Sequence, residues 1–166
     1  MRWRGVFATT ALAEDSVPAI GHWQDWAVFA EEGVCWAGTT AAGITSDTSE
    51  IATPRAFSDR LLVTFFPEYG GAAEGSFLPR TPFDADSPGH AQIGQQSIAL
   101  FTQDGILWPA NDRANDDMLA AMLVETSFAI RLIGADGHAL RYRFSTNGLA
   151  QAMDAAKAFC DIGGFA

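Results

Sequence analysis

The chain has 166 residues, a formal net charge of −10 at pH 7 and a hydrophobic content of 48%. This length fits one domain with a single hydrophobic core, and the composition is that of a globular rather than a disordered protein. With 10 basic against 20 acidic residues, nucleic acid and anionic membrane surfaces are poor candidates as partners, since binding to phosphates requires a basic face. No stretch reaches the roughly 18–20 apolar residues that span a membrane as a helix, so no transmembrane segment is expected.

The N-terminal 13 residues have the layout of a secretory signal peptide. Arg2 and Arg4 precede a short apolar stretch, and Ala11-Leu12-Ala13 is a small-residue pattern typical of a cleavage site. We predict a signal peptide over 1–13, complete or truncated, and a single domain over 14–166 in the periplasm or outside the cell. The alternative is an ordinary polar N-terminal arm.

The chain contains two cysteines, Cys35 and Cys160, and no C-x-x-C motif. In an oxidising compartment, one disulfide between them is the simple interpretation. The alternative is two buried free thiols in a cytosolic protein. The export and disulfide predictions therefore depend on each other.

The first half of the chain predicts a hairpin and one buried strand. Two β-prone runs, 22–29 and 34–37, flank a short acidic turn with glycine. Residues 38–58 are predicted to be loop or weak strand, and the continuous apolar run Arg60–Phe66 is predicted to be a strand buried on both faces. Segment 70–94 contains five glycines and three prolines, so we expect it to be mostly loop, with a short strand near Ser76–Leu78.

Two further hairpins are predicted by Asp-Gly steps at 104–105 and 136–137, each between two β-prone runs. The four runs are 96–102, 106–108, 127–133 and 138–144. On the last run, Arg141 and Arg143 alternate with apolar residues and therefore share one strand face. We expect this face to be solvated rather than to bind phosphate.

Two helices complete the prediction. Asn115, Asp116 and Asp117 precede the apolar run 118–123, at the N-terminus where the helix dipole favours carboxylates. Ser145 or Thr146 is expected to cap a second helix that runs to about Cys160. Its apolar stripe consists of Leu149, Ala152, Met153, Ala156 and Phe159. Hairpins and two helices around one core predict a mainly-β sandwich with one short helix and one C-terminal helix.

The sequence contains no motif that indicates a catalytic, cofactor or metal site. The three histidines, His22, His90 and His138, have no ligand-like spacing to cysteine or carboxylate. Residues 111–117 resemble a calcium loop but lack its glycine and closing glutamate, so helix capping explains them better. We predict no catalytic residue, no cofactor, no metal and no enzymatic activity.

An alternative hypothesis is a periplasmic hydrolase or small-ligand binder with its site in segment 70–94. Long loops are often functional. This hypothesis requires a pocket in which His90 lies within hydrogen-bond reach of Asp84 or Asp86.

The five tryptophans are numerous for a chain of this length. Four of them are candidates for an interaction surface, since aromatic residues line ligand grooves in some exported β-domains. These are Trp23, Trp26, Trp36 and Trp108. The alternative is that they pack in the core.

The order of these features resembles the invasion-associated locus B proteins of alphaproteobacteria. The resemblance extends from about Gly21 to Cys160, and its most specific part is the run Tyr142–Leu149 followed by an alanine-rich helix and a cysteine. The other matching segments are Trp23–Trp26, Cys35–Ala37, Leu61–Phe66, Ile98–Thr102, Ile106–Trp108 and Asp117–Met122.

This resemblance implies an immunoglobulin-like β-sandwich, export to the periplasm or envelope, and no established enzymatic activity. The leading hypothesis is accordingly an exported interaction module that binds an envelope or host-surface protein or glycan, and not nucleic acid. A further alternative is a structural envelope protein without a discrete binding site. The oligomeric state and the identity of the partner stay open.

Overall fold

The structure is a computed structural model that describes residues 17–46 and 59–161. The predicted signal peptide over 1–13 lies outside the described residues, as does most of the segment 38–58. Within the described residues, 43–46 form a short strand, which agrees with the weak strand expected there.

Eleven strands and two α-helices occupy the described residues. The strands are β1 Gly21–Trp23, β2 Trp26–Glu31, β3 Val34–Thr40, β4 Gly43–Ser46, β5 Arg60–Phe66, β6 Ala72–Leu78, β7 Gly89–Ile93, β8 Gln96–Gln103, β9 Ile106–Pro109, β10 Ser127–Ile133 and β11 Ala139–Ser145. The helices are α1 Asp112–Val124 and α2 Leu149–Asp161, and a short 3-10 turn spans Pro67–Tyr69.

The strands form one antiparallel sheet in the order β1-β2-β3-β5-β6-β9-β8-β7-β10-β11-β4. The sheet folds over on itself, because the ring of Phe77 on β6 lies 4.9 Å from that of Tyr142 and 5.6 Å from that of Phe144 on β11. In a flat sheet, the five strand spacings between β6 and β11 would separate these rings by about 24 Å. The described residues therefore have a mainly-β, sandwich-like fold, as predicted.

The three predicted hairpins are confirmed as β2–β3, β8–β9 and β10–β11. In the β8–β9 turn, Asp104 has a φ of 56° and Gly105 a φ of 77°. Positive φ at both central residues gives the twist that suits a two-residue hairpin turn. The local Asp-Gly signal was therefore sufficient to locate this turn.

The main core lies between the two halves of the folded sheet, and both helices contribute to it. Strand β5 is buried along its whole length, as its apolar sequence predicts. Helix α2 buries Leu149, Ala152, Ala156 and Cys160 on one stripe. The predicted stripe is thus confirmed, with Met153 and Phe159 partly buried beside it.

Three predictions of local structure were wrong in detail. The predicted β-prone run 22–29 is divided by the turn between β1 and β2, where Gln24 has a φ of 55°. Segment 70–94 contains more strand than predicted, since the short strand expected near Ser76–Leu78 is the end of β6, which pairs along its whole length with β5, and β7 is a second strand. Helix α1 begins at Asp112 rather than near Met118, because the Asn111 side chain accepts a hydrogen bond from the Ala114 N–H at 2.8 Å and caps the helix.

Candidate interaction site

The predicted disulfide between Cys35 and Cys160 is confirmed. Cys35 lies on β3 and Cys160 in the last turn of α2, with their Cα atoms 6.0 Å apart. This separation is within the usual range for disulfides. Both residues are buried, so the bond fixes the C-terminal end of α2 to the sheet.

The other end of α2 is fixed by contacts to the turn between β1 and β2. The Ser145 hydroxyl donates to the Asp25 carboxylate at 2.6 Å, and the Asp25 N–H donates to the Asn147 carbonyl at 3.1 Å. The indole N–H of Trp26 donates to the Ser145 carbonyl at 2.9 Å. The segment 142–149, which carries the strongest family resemblance, therefore joins the turn between β1 and β2 to the start of α2.

Gly148 lies at the point of closest approach in this joint. It has a φ of 92°, and a Cβ atom there would lie 1.8 Å from the Trp23 carbonyl oxygen. Any larger residue would collide with backbone that no side-chain rotation can move. Glycine is therefore required at position 148 both by its positive φ and by the close approach of the Trp23 backbone.

The tryptophans predicted as an interaction surface are mostly buried. Trp26, Trp36 and Trp108 each have 1% relative exposure, and only Trp23 is partly exposed. Trp26 points into the main core, while Trp36 and Trp108 pack on the opposite face of the sheet. The prediction of a tryptophan-lined binding surface is therefore wrong for these three, because burial of their large apolar area stabilises the fold instead.

A second apolar cluster lies on the outer face of the strands that surround β5. Neither helix contributes a side chain to it. Its buried members are Trp36, Leu62, Phe66, Leu78, Ile106 and Trp108, with Phe29 and Val34 partly buried at its rim. On this side of the sheet the outward residues of the strands are thus apolar, which explains why β5 is apolar on both faces.

A cleft of about 420 Å³ lies next to this cluster on the same side of the sheet. Phe29 and Gly38 provide apolar lining, while His22, Asp25 and Arg60 provide polar groups. Asp25 already accepts the hydrogen bond from Ser145, so its carboxylate has a structural partner. The cleft combines hydrogen-bonding groups with apolar surface, as contact sites for polar partners do.

A buried polar cluster lies at the start of β5. The Asp59 carboxylate, with 1% exposure, accepts hydrogen bonds from the backbone N–H groups of Arg80 at 2.6 Å and Thr81 at 3.2 Å. Burial raises the pKa of Tyr142 well above its ordinary value; the nearby Thr81 hydroxyl lowers it, and the Asp59 charge raises it further. Among residues 17–46 and 59–161 the Tyr142 hydroxyl has no hydrogen-bond partner, so its burial is costly.

Replacing Tyr142 with phenylalanine is expected to change stability by less than about 1 kcal/mol near pH 7, because the hydroxyl that is lost has no partner. In the wild type the raised pKa favours the protonated form in the folded state. Stability from this group is therefore present below the unfolded pKa of about 10 and is lost as pH rises above it. Alkaline titration at 295 nm should show one tyrosine that ionises only on unfolding, and Tyr142→Phe should abolish that signal.

If Tyr142→Phe left the late-ionising tyrosine in place, the assignment of that signal to Tyr142 would be wrong. A loss of more than about 2 kcal/mol would show that the hydroxyl has a stabilising partner. Thr81→Val serves as a contrast, because it leaves the ring of Tyr142 in place but removes a hydroxyl that donates to the Asp59 carboxylate at 3.4 Å. It is therefore expected to lose stability that Tyr142→Phe retains.

The pairing of His90 with Asp84 or Asp86, which the alternative site in segment 70–94 requires, is not present. The Asp84 carboxylate accepts hydrogen bonds from the Asp86 N–H at 2.9 Å and the Ser87 hydroxyl at 2.9 Å, so it shapes its own turn. His90 lies exposed on β7 and forms no hydrogen bond to Asp84 or Asp86. The pairing on which that hypothesis depended is therefore contradicted.

The first turn of α1 also has a structural role. The Asn115 side chain accepts a hydrogen bond from the Gly75 N–H and donates one to the Ala73 carbonyl, both at 2.9 Å. It thereby satisfies backbone groups of β6 where β9 does not pair with that strand. Sequence reasoning missed this contact, since 40 residues separate Asn115 from Gly75.

Over 17–46 and 59–161, no group of three or more His, Cys, Asp or Glu side chains is placed to hold a metal ion. In the same ranges, no helix has both the length and the apolar character needed to cross a membrane.

These features define a mainly-β sandwich. Its C-terminal helix, α2, is fixed at one end by a disulfide and at the other by the turn between β1 and β2. The fold is similar to that in the crystal structure of invasion associated protein B from Bartonella henselae, with a TM-score of 0.59. The two share 14% sequence identity, and the match covers 85% of this chain and 97% of the other. The resemblance to that family is thus supported at the level of the fold. No family model and no curated protein matches the sequence.

Proposed function

We propose that this chain is an exported protein of the invasion-associated locus B type that acts as a non-enzymatic interaction module in the periplasm or at the cell surface. The Cys35–Cys160 disulfide carries the proposal, since such bonds persist in oxidising compartments and are rare in the cytosol. The fold likeness to invasion associated protein B supports it. The partner is an envelope or host-surface protein or glycan.

The non-enzymatic role is supported by what the polar side chains do. Asp59, Asp84 and Asn115 each bind backbone or side-chain groups of their own surroundings, and so hold loops and strands in place. Catalysis would require such groups to converge on a common point where a substrate could lie. A rigid, cross-linked scaffold with polar groups committed to structure suits a protein that presents surfaces to a partner.

Export is tested by the intact mass of the protein from separate periplasmic and cytoplasmic fractions of its host, with and without reductant. We expect a periplasmic species that begins at Glu14 and is about 2 Da lighter than its reduced form, since disulfide formation removes two hydrogen atoms. A Cys35→Ala/Cys160→Ala variant is the control, because its mass does not respond to reductant. A cytoplasmic, full-length species with two free thiols would contradict the proposal.

A further inference from the structure

Three arginines and one histidine form a basic face on the exposed side of the sheet. His90 on β7, Arg131 on β10 and Arg141 on β11 form one row, since each pairs in register with the next. Arg143 lies two residues further along β11. All four side chains are exposed, and the term basic face refers to these four residues.

The strands around the basic face carry no neutralising charge. Strands β4, β7, β8, β10 and β11 contain no aspartate or glutamate, although the chain has 20 acidic residues. Among the residues that the structure describes, none of the four side chains forms an ion pair or a side-chain hydrogen bond. The basic face is therefore a positive patch on a chain with a net charge of −10.

This arrangement works against stability. Arg131 and Arg141 lie directly opposite each other on adjacent antiparallel strands, where like charges repel. Arg143 extends over Gly43 of β4, because a Cβ atom at that glycine would lie 2.6 Å from the guanidinium. Folding alone gives no reason for such a cluster, whereas an anion bound from outside would offset its repulsion.

We propose that the basic face binds an acidic polysaccharide that carries carboxylate or sulfate groups. Cationic side chains on neighbouring strands are spaced by about 4.8 Å, and residues two apart on one strand by about 6.7 Å. A polymer with one anionic group on each sugar unit places its charges at separations of this order. Arginine suits such a ligand because its planar guanidinium binds carboxylate and sulfate oxygens with paired hydrogen bonds.

The surroundings favour a polysaccharide over a membrane or nucleic acid. Thr45, Gln92 and Ser97 lie on the same side of the sheet and provide hydrogen-bonding groups for sugar hydroxyls. Of the described residues, the exposed large hydrophobics are four, and none lies on β4, β7, β10 or β11. Phe101 on β8 lies on the same side of the sheet as His90, and a single such side chain gives little apolar area to enter a lipid layer. Duplex DNA concentrates charge much more densely, and a chain with an excess of acidic residues repels it most strongly.

An acidic polysaccharide is a partner class for the interaction module proposed above. Only the place of the encounter, outside the cytoplasm, rests on that proposed function. Binding is measured with the purified, oxidised full chain by titration calorimetry against polygalacturonate and dextran sulfate, with neutral dextran as the negative control. The measurement does not depend on export, so the two proposals can fail separately.

The test pair is Arg131→Gln/Arg141→Gln against Arg113→Gln/Lys157→Gln. Both remove two positive charges, but the second pair lies on α1 and α2, where each cation has an acidic partner four residues away. We expect the first variant to bind an anionic polymer about tenfold more weakly at 50 mM salt, and the second to change affinity less than twofold. Raising salt to 300 mM should weaken wild-type binding, since these charges are exposed.

The first variant should unfold at the same temperature as the wild type or about 1–2 °C higher, because a repulsive pair has been removed. This shift shows that weaker binding does not arise from misfolding. The inference is overturned if neither polymer binds, if both variants lose affinity equally, or if duplex DNA or phosphatidylglycerol vesicles bind more tightly through the same arginines. If the wild type bound neither polymer and the first variant aggregated, the inference would also be overturned. The arginines would then serve to prevent association of chains through the edge strand β4.

Discussion

Replacing Gly148 with alanine is expected to destabilise the protein by about 3–5 kcal/mol and to lower its Tm by about 10 °C or more. The new Cβ would lie 1.8 Å from the carbonyl oxygen and 2.6 Å from the carbonyl carbon of Trp23. Relief requires the β1–β2 turn to move away from α2. That movement breaks the bond from the Asp25 N–H to the Asn147 carbonyl and the bonds made by Ser145.

Gly137→Ala is the matched control for this prediction. Gly137 has a φ of 89°, close to the 92° of Gly148, but a Cβ atom there would meet nothing within 4 Å. Gly137→Ala should therefore destabilise the protein by only about 1–2 kcal/mol, the cost of a positive φ for alanine. Urea unfolding followed by circular dichroism gives both values. Equal losses in the two variants would mean that the close approach to Trp23 contributes nothing.

The second large effect is expected when the disulfide is removed. The Cys35→Ala/Cys160→Ala variant should lose about 3–5 kcal/mol, since the bond joins residues 125 positions apart and restricts the unfolded chain strongly. Without the bond, the unfolded chain has more conformational entropy, and folding must overcome this larger entropy. The midpoint of urea unfolding is the measurement, with the oxidised wild type as reference.

Reduced wild-type protein separates the cross-link from the side chains, because it retains both buried sulfur atoms. We expect it to unfold close to the double variant and well below the oxidised protein. Should the reduced and oxidised proteins unfold at the same urea concentration, the bond would not constrain the unfolded state. The two largest effects thus concern opposite ends of one helix, α2, which closes the core over β1, β2 and β3.

Much of the fold was predictable because its signals are local. The Asp104-Gly105 turn, the apolar strand Arg60–Phe66 and the stripe that ends at Cys160 each depend on residues near one another in the chain. Only the end of strand β6, near Ser76–Leu78, was predicted, because the small residues at its start have little intrinsic strand preference and form a strand by pairing with β5. The start of α1 was misplaced because Asn111 and Asp116 are both plausible near a helix N-terminus.

The candidate binding surface was less predictable than the fold. Residue type alone does not reveal which face of a strand is covered, so Trp36 and Trp108 gave no sign that they pack in a second apolar cluster. The role of Gly148 was visible only as part of a family resemblance. Its physical cause, the Trp23 backbone, lies more than 120 residues away in the sequence.

The sequence by itself determined the acidic charge, the single possible disulfide, the hairpins and the two helices, because composition and short-range periodicity encode them. It also placed Arg141 and Arg143 on one strand face. Only the tertiary structure decided that His90 and Arg131 join them, since this depends on the register between β7, β10 and β11. Strand pairing brings distant residues into one row, and no local pattern specifies which strands will pair.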